Sequence, residues 1–380
     1  MRELRADELG ARLTPLFEEN FARFGELGAA VSIWQNGRSL LELRGGFREA
    51  RREEPWTDDT IVLFWSATKG IGSACLLHLL QEKTIALPRR VAEFWPEFAQ
   101  AGKETITLAQ LLSHQAGLAA LDQAVEVTDH AAVVRAIEVQ TPIWPPGTAH
   151  GYHARTFGFL LDELVRRIDG RTLGEYWREV FALPLGLDLW IGLPNEMNSR
   201  AATIYAARQA AASTDPFYRA LATPGTLPRR VFNSPRGLPG VSAMNQPENR
   251  ARSFASFGGI GSATSLAKFY AVLADGGEWE GRRFFSEATI RQMSTTLVDG
   301  MDRVFLGPSA FSAGFMKDPA AAEPRIFGPS RLAFGHPGAG GSLAFADPEN
   351  RISFAYVMNQ MEQKLFPTEK ALRLVAALYE

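Results

Sequence analysis

Leu9, Leu13, Phe17 and Phe21 recur every fourth residue and predict an opening helix of about four turns. The stretch "AAVSIWQNGRSLLELRGGF" then reads as two strands. Asn36-Gly37 joins them, and Asn-Gly between apolar runs is a type I′ hairpin signal. "TIVLFW" predicts a short extended segment. From Ala67, the apolar positions Ile71, Ala74, Cys75, Leu77, Leu79 and Leu80 fit a buried helix. Residues 85–299 change character: helical stretches such as "LAQLLSHQAGL" and "TFGFLLDELVRRIDG" alternate with Pro/Gly turns. Residues 222–250, rich in Pro, Gly and Asn, read as a long loop. Strand signals return after residue 300. "GSLAFADPENRISFAYVM" predicts a hairpin turning at Pro348-Glu349-Asn350, and an amphipathic helix follows from Glu369 to Tyr379.

This order predicts an α+β architecture: an antiparallel sheet assembled from both chain ends, flanked by N- and C-terminal helices, with a mostly helical domain inserted. The expected division is a discontinuous sheet domain of residues 1–84 and 300–380 and a helical domain of 85–299, with the active site in the cleft between them.

Composition narrows the function classes only a little. The 380 residues are 46% hydrophobic and 22% charged with net charge −2, as in an ordinary globular protein. That balance argues against nucleic acid or an anionic membrane as partner. The single cysteine, Cys75, excludes an intramolecular disulfide framework. The N-terminus lacks the continuous apolar stretch of a signal peptide, so the expected location is cytoplasmic. The oligomeric state, homo-oligomer included, is left open.

One stretch carries chemistry. "FWSATKG" (64–70) places Ser66 and Lys69 one helical turn apart, between segments that both want burial. Both side chains can therefore face one cleft, and the helix N-terminus favours negative charge developing at the serine. A lysine among apolar walls loses proton affinity and can take the serine proton. The spacing alone is weak, because Ser265-Leu-Ala-Lys268 repeats it. There an N-cap role is expected for Ser265 and a solvated helix position for Lys268.

Two further segments decide between the pairs. "PPGTAHGYHA" supplies Tyr152 after a Pro/Gly turn, and "FGHPGAGGSLAF" supplies His336-Pro337-Gly338 at a strand start. Together these residues resemble the serine β-lactamase and penicillin-binding superfamily, in its class C and carboxylesterase branch, the family VIII esterases. Ser66-x-x-Lys69 matches the first motif. Tyr152-His153-Ala154 stands where that branch has Tyr-x-Asn, and His336-Pro337-Gly338 where the lactamases have Lys-Thr-Gly. "LLSHQAGL", "LPLGL" and "GGIGSATSLAKF" also resemble recurrent segments, so the likeness spans roughly residues 28–360. Ala154 and His336 depart from the pattern, removing an amide and a permanent cation that would meet a β-lactam.

The resemblance implies a β-lactamase-like fold and a cofactor-free serine hydrolase, a carboxylesterase acting on small to medium acyl esters. It implies Ser66 as nucleophile, Lys69 and Tyr152 as the base pair, and the backbone N–H groups of Ser66 and Ala339 as oxyanion hole. His336, Gly338 and His153 are expected to contact substrate. Gly338, Gly340 and Gly341 are expected to let it approach. Trp65, Trp144, Phe257 and Phe315 are candidates for an aromatic acyl pocket. His150 and His153, three apart, lack a carboxylate partner at metal-ligand spacing, so no metal is expected. His114 is expected to hydrogen-bond within the helical domain. The rivals are a β-lactamase, a D-amino-acid peptidase or amidase, or an acyltransferase of the same fold, and a catalytically silent binding protein.

Overall fold

The computed structural model describes residues 3–207 and 214–380. The opening helix runs Ala6–Arg23 and buries Leu9, Leu13 and Phe17. The hairpin Gly28–Gln35 and Arg38–Gly46 follows. Asn36 and Gly37 have φ of 51° and 68°, the two left-handed positions a type I′ turn requires.

Eight antiparallel strands form the main sheet. In spatial order they are Arg38–Gly46, Gly28–Gln35, Ile352–Met358, Leu343–Asp347, Phe334–Pro337, Met316–Lys317, Pro308–Phe311 and Val298–Met301. The first strand thus pairs with the last, Val31 opposite Tyr356, and the chain ends are joined through the sheet centre. The C-terminal hairpin turns after Asp347, whose carboxylate accepts the N–H groups of Glu349 and Asn350.

Side-chain alternation gives the sheet two covered faces. Val31, Ile33, Phe354 and Tyr356 share one core cluster with Leu9, Leu13 and Phe17 of the opening helix and with Leu374, Val375 and Leu378 of the closing one, Glu369–Tyr379. Ala30, Ala355 and Val357 face the second, larger core. Helix Ala263–Ala274 packs there against strands Gly28–Gln35, Leu343–Asp347 and Ile352–Met358. It lies within the segment expected to be a separate helical domain. The packing boundary therefore does not follow the sequence division at residue 299.

Residues 222–250 also differ from expectation. They hold helix Leu227–Phe232, a 3-10 turn Val241–Asn245 and helix Pro247–Arg250. Pro at each helix's first turn is compatible with helix initiation, so a Pro-rich stretch is not a structureless one.

Candidate active site

Phe64 N–H donates to Gly259 O at 3.1 Å, fixing the chain at the edge of a small three-stranded sheet. Trp65 then takes φ 48°, a left-handed conformation that is strained for a bulky residue. A 3-10 turn, Trp65–Ala67, leads into helix Thr68–Glu82. Thr68 ties the turn down: its hydroxyl donates to Trp65 O at 2.5 Å and accepts the Gly259 N–H at 2.8 Å. Ser66 is thereby held at the mouth of the helix, half-buried.

Lys69 is fully buried one turn below. Its Nζ lies 3.3 Å from Ser66 Oγ, 2.8 Å from Ala154 O and 2.9 Å from Ser256 O. Burial pushes its pKa well below the ordinary value of 10.5, and no carboxylate opposes that push. In the neutral amine, two N–H groups can serve the two carbonyls, which leaves the lone pair for the Ser66 hydroxyl. Ala154 stands at the third position of the Tyr-x-Asn motif, where it lacks the amide. Its main-chain carbonyl is one of the two that hold Lys69 Nζ. Ser256 had no sequence signal, since any residue presents a carbonyl.

Tyr152 is buried and lines the same cavity as Ser66. Burial raises its pKa, as does nearby Asp302, while the neighbouring Ser66 hydroxyl opposes them. The phenol is thus held protonated. Its ring lies 4.7 Å from Lys69 Nζ and stacks on Phe305 at 4.6 Å.

His336 is buried beside Tyr152, with ring centroids 5.8 Å apart. Nδ1 donates to Pro337 O at 2.7 Å, leaving Nε2 as a bare acceptor without a partner among the described residues. Burial chiefly, with Lys69, pushes its pKa down to about 3, so the ring is neutral. Beyond it, the N–H of Ala339 donates to no described residue, and neither does that of Ser66.

A cavity opens over these groups, lined by Ser66, Tyr152, His336, Pro337, Ala339, Phe305, Met316, Leu365 and Phe366. The expected aromatic pocket is elsewhere. Phe315 is buried against Tyr270 and Phe334, and Phe257 stacks on Phe254. Trp144 is buried beside His153, and Trp65 packs against the larger core outside the cavity wall. Phe305, Met316, Leu365 and Phe366 were missed because they lie far along the chain from the motifs, without a pattern of their own.

His153 does not line this cavity either. Its Nδ1 donates to Gly151 O at 2.8 Å, and its Nε2 accepts the Leu118 N–H at 2.9 Å. Burial lowers its pKa to about 4. His114 accepts the His153 N–H at 3.2 Å, an internal bond of the kind expected. His150 pairs with Ser309 at 3.0 Å, and no group of three or more His, Cys, Asp or Glu among the described residues could hold a metal. Gly338 and Gly340 serve the chain's own close approaches. A Cβ at Gly338 would sit 2.2 Å from Phe64 O, and one at Gly340, at φ 88°, would strike Met361.

Comparison with known proteins gives the family. The Beta-lactamase family model matches residues 17–378, and the chain belongs to that family. It is 29% identical over 367 residues to the esterase/beta-lactamase LipL of Mycobacterium tuberculosis, covering 92% of this chain and 80% of LipL. A penicillin-binding protein homologue from Caulobacter crescentus superposes with TM-score 0.87 at 36% identity, covering 100% of this chain and 98% of that one. A family VIII carboxylesterase superposes with TM-score 0.84 at 34% identity, over 100% of this chain and 98% of its own. These neighbours place the chain in the esterase branch of the serine β-lactamase and penicillin-binding superfamily. No helix among the described residues is long and apolar enough to cross a membrane.

Proposed function

We propose that this chain is a serine carboxylesterase that hydrolyses neutral acyl esters through an acyl-enzyme at Ser66. One observation carries the reading: Ser66 and a protonated tyrosine line a largely apolar cavity, with a desolvated lysine directly behind the serine, and none of the described residues lining it is cationic. Neutral Lys69 takes the Ser66 proton as Oγ bonds to the acyl carbon. The carbonyl oxygen gains the negative charge and is met by the free N–H groups of Ser66 and Ala339. When the intermediate collapses, the acyl–oxygen bond breaks and the alcohol leaves. Its proton comes from Lys69 by way of the Tyr152 hydroxyl, which donates one proton as it receives another. A water repeats the sequence on the acyl-enzyme and frees the acid.

His336 favours esters over β-lactams. A β-lactam carries a carboxylate, and a neutral ring with a bare Nε2 offers it no positive charge. The absent Ala154 amide removes a second contact. Together these could cost roughly 2–4 kcal/mol of transition-state binding. We expect kcat/KM for p-nitrophenyl butyrate, and for a less activated butyrate ester, to exceed that for nitrocefin by about 100-fold or more. Comparable efficiency on nitrocefin would overturn the reading.

A further inference from the structure

The space over Ser66 is a cavity of only about 10 Å³, room for about one water molecule. An acyl chain of any length finds little room there while the apolar wall keeps its place. The four wall side chains are not equally free to move.

Phe305 is fixed from two sides. Its ring lies flat on Tyr152, and its N–H donates to Asp302 Oδ1 at 2.9 Å. The same oxygen accepts the N–H groups of Tyr152 at 3.2 Å and Val304 at 2.7 Å. Asp302 Oδ2 accepts the Ser309 hydroxyl at 2.9 Å. One buried carboxylate thus locks Phe305 to the backbone of Tyr152. Met316 is buried within the main sheet. Leu365 is held by its N–H, which donates to the Tyr218 hydroxyl at 2.6 Å.

Phe366 differs. It is half-buried, with solvent on one side. It has no backbone hydrogen bond to another described residue. Its ring meets Phe305 edge-on at 5.1 Å. Swinging it outward gives up that contact and its packing on the surrounding core, and disturbs none of the hydrogen bonds of Ser66 and Lys69.

We infer that Phe366 is the specificity-determining gate of the acyl pocket and Phe305 its fixed wall. This rests on the ester-hydrolase reading. The acyl chain enters as the Phe366 ring turns to solvent, and it then packs against Phe305 and Met316 where that ring had been. Acetyl and butyryl groups need little displacement, while an octanoyl group needs the ring fully out.

The test is the octanoate-to-acetate ratio of kcat/KM on p-nitrophenyl esters. Phe366→Ala should raise that ratio at least about tenfold, the scale on which pocket size discriminates between chains. Phe366→Trp, which refills the opening, should lower it. Phe305→Ala should slow both esters by similar factors, because it loosens Tyr152 on every substrate. An unchanged ratio in both Phe366 variants, or an equal rise in Phe305→Ala, would overturn the gate. Failure of the ester reading is separable: Ser66 would react with alkyl fluorophosphonates while no ester turned over. The gate is then judged on labelling rates alone. Phe366→Ala must speed a long-chain probe more than a short one, or the inference falls.

Discussion

Ser66-x-x-Lys69 and Ser265-x-x-Lys268 share spacing and both lie near the start of a buried helix, yet only one pair is a pair. In the first, Lys69 reaches Ser66 and two carbonyls and is shut off from water. In the second, the partners are turned outward from each other. Ser265 Oγ accepts the Asp188 N–H at 2.8 Å, while Lys268 Nζ donates to Leu185 O at 2.7 Å and sits 5.1 Å from the Trp279 ring. Ser265 is not the N-cap expected of it. Ser262 caps helix Ala263–Ala274 by accepting the Ser265 N–H at 3.1 Å. Nor is Lys268 fully solvated, being half-buried over the indole. The second pair staples a helix to its neighbours. The difference teaches that the motif's chemistry depends on desolvation and on carbonyls supplied from other segments.

The largest effect that could break this contrast is at the nucleophile. Ser66→Ala should reduce ester turnover by about 10⁴-fold or more, and Ser265→Ala should change it less than about twofold. Peptide mapping after fluorophosphonate treatment should find the adduct on Ser66. An adduct on Ser265 would reverse the assignment. Next come the lysines. Lys69→Ala should cost on the order of 10²–10⁴ in kcat, against a few-fold at most for Lys268→Ala. Equal losses would show that the two environments are chemically equivalent.

The pH profile sharpens the same contrast. Catalysis requires Lys69 unprotonated, and burial lowers its pKa well below 10.5. Activity should therefore persist into the neutral range and fall about tenfold per pH unit below the Lys69 pKa. An acid limb centred near 10 would contradict a buried lysine. Stability should follow the same direction. His153 and His336 stay neutral in the fold to about pH 4 and about pH 3, against an ordinary value of 6.5. Between 6.5 and 4 the unfolded chain binds protons that the fold refuses, so stability falls as pH falls. Each ring contributes on the order of 3 kcal/mol of loss by pH 4. Urea unfolding at pH 7 and pH 4.5 reads this out, and a rise in stability on acidification would refute it.

The smallest effect belongs to the second pair. Ser265→Ala leaves the Asp188 N–H without its acceptor and should cost about 1–2 kcal/mol in urea unfolding, with activity unchanged. A drop in kcat without a drop in stability would show that this serine has a chemical part after all.

Local pattern was enough for much of the molecule. Four-residue periodicity marked the opening helix, Asn36-Gly37 the hairpin, and the C-terminal apolar stripe the last helix, because each is decided by interactions within a few residues. Ser66, Lys69, Tyr152 and His336 were legible for a similar reason: their side-chain types at those spacings are uncommon together, and the resemblance gave them an order. The position of helix Ala263–Ala274 on the sheet was not legible, since an apolar stripe does not name its partner.

Tertiary structure alone decided the rest. Ser256 and Ala154 matter through carbonyls, which every residue possesses. His153 spends both ring nitrogens inside the fold, so a histidine beside the motif tyrosine never meets the cavity. Phe305 and Phe366 become a pocket only when the end of the sheet and the segment before the last helix converge on Tyr152. Secondary structure and reactive side chains are properties of short segments. Desolvation, carbonyl placement and cavity shape are sums over residues far apart in the chain, and they exist only once those residues are packed.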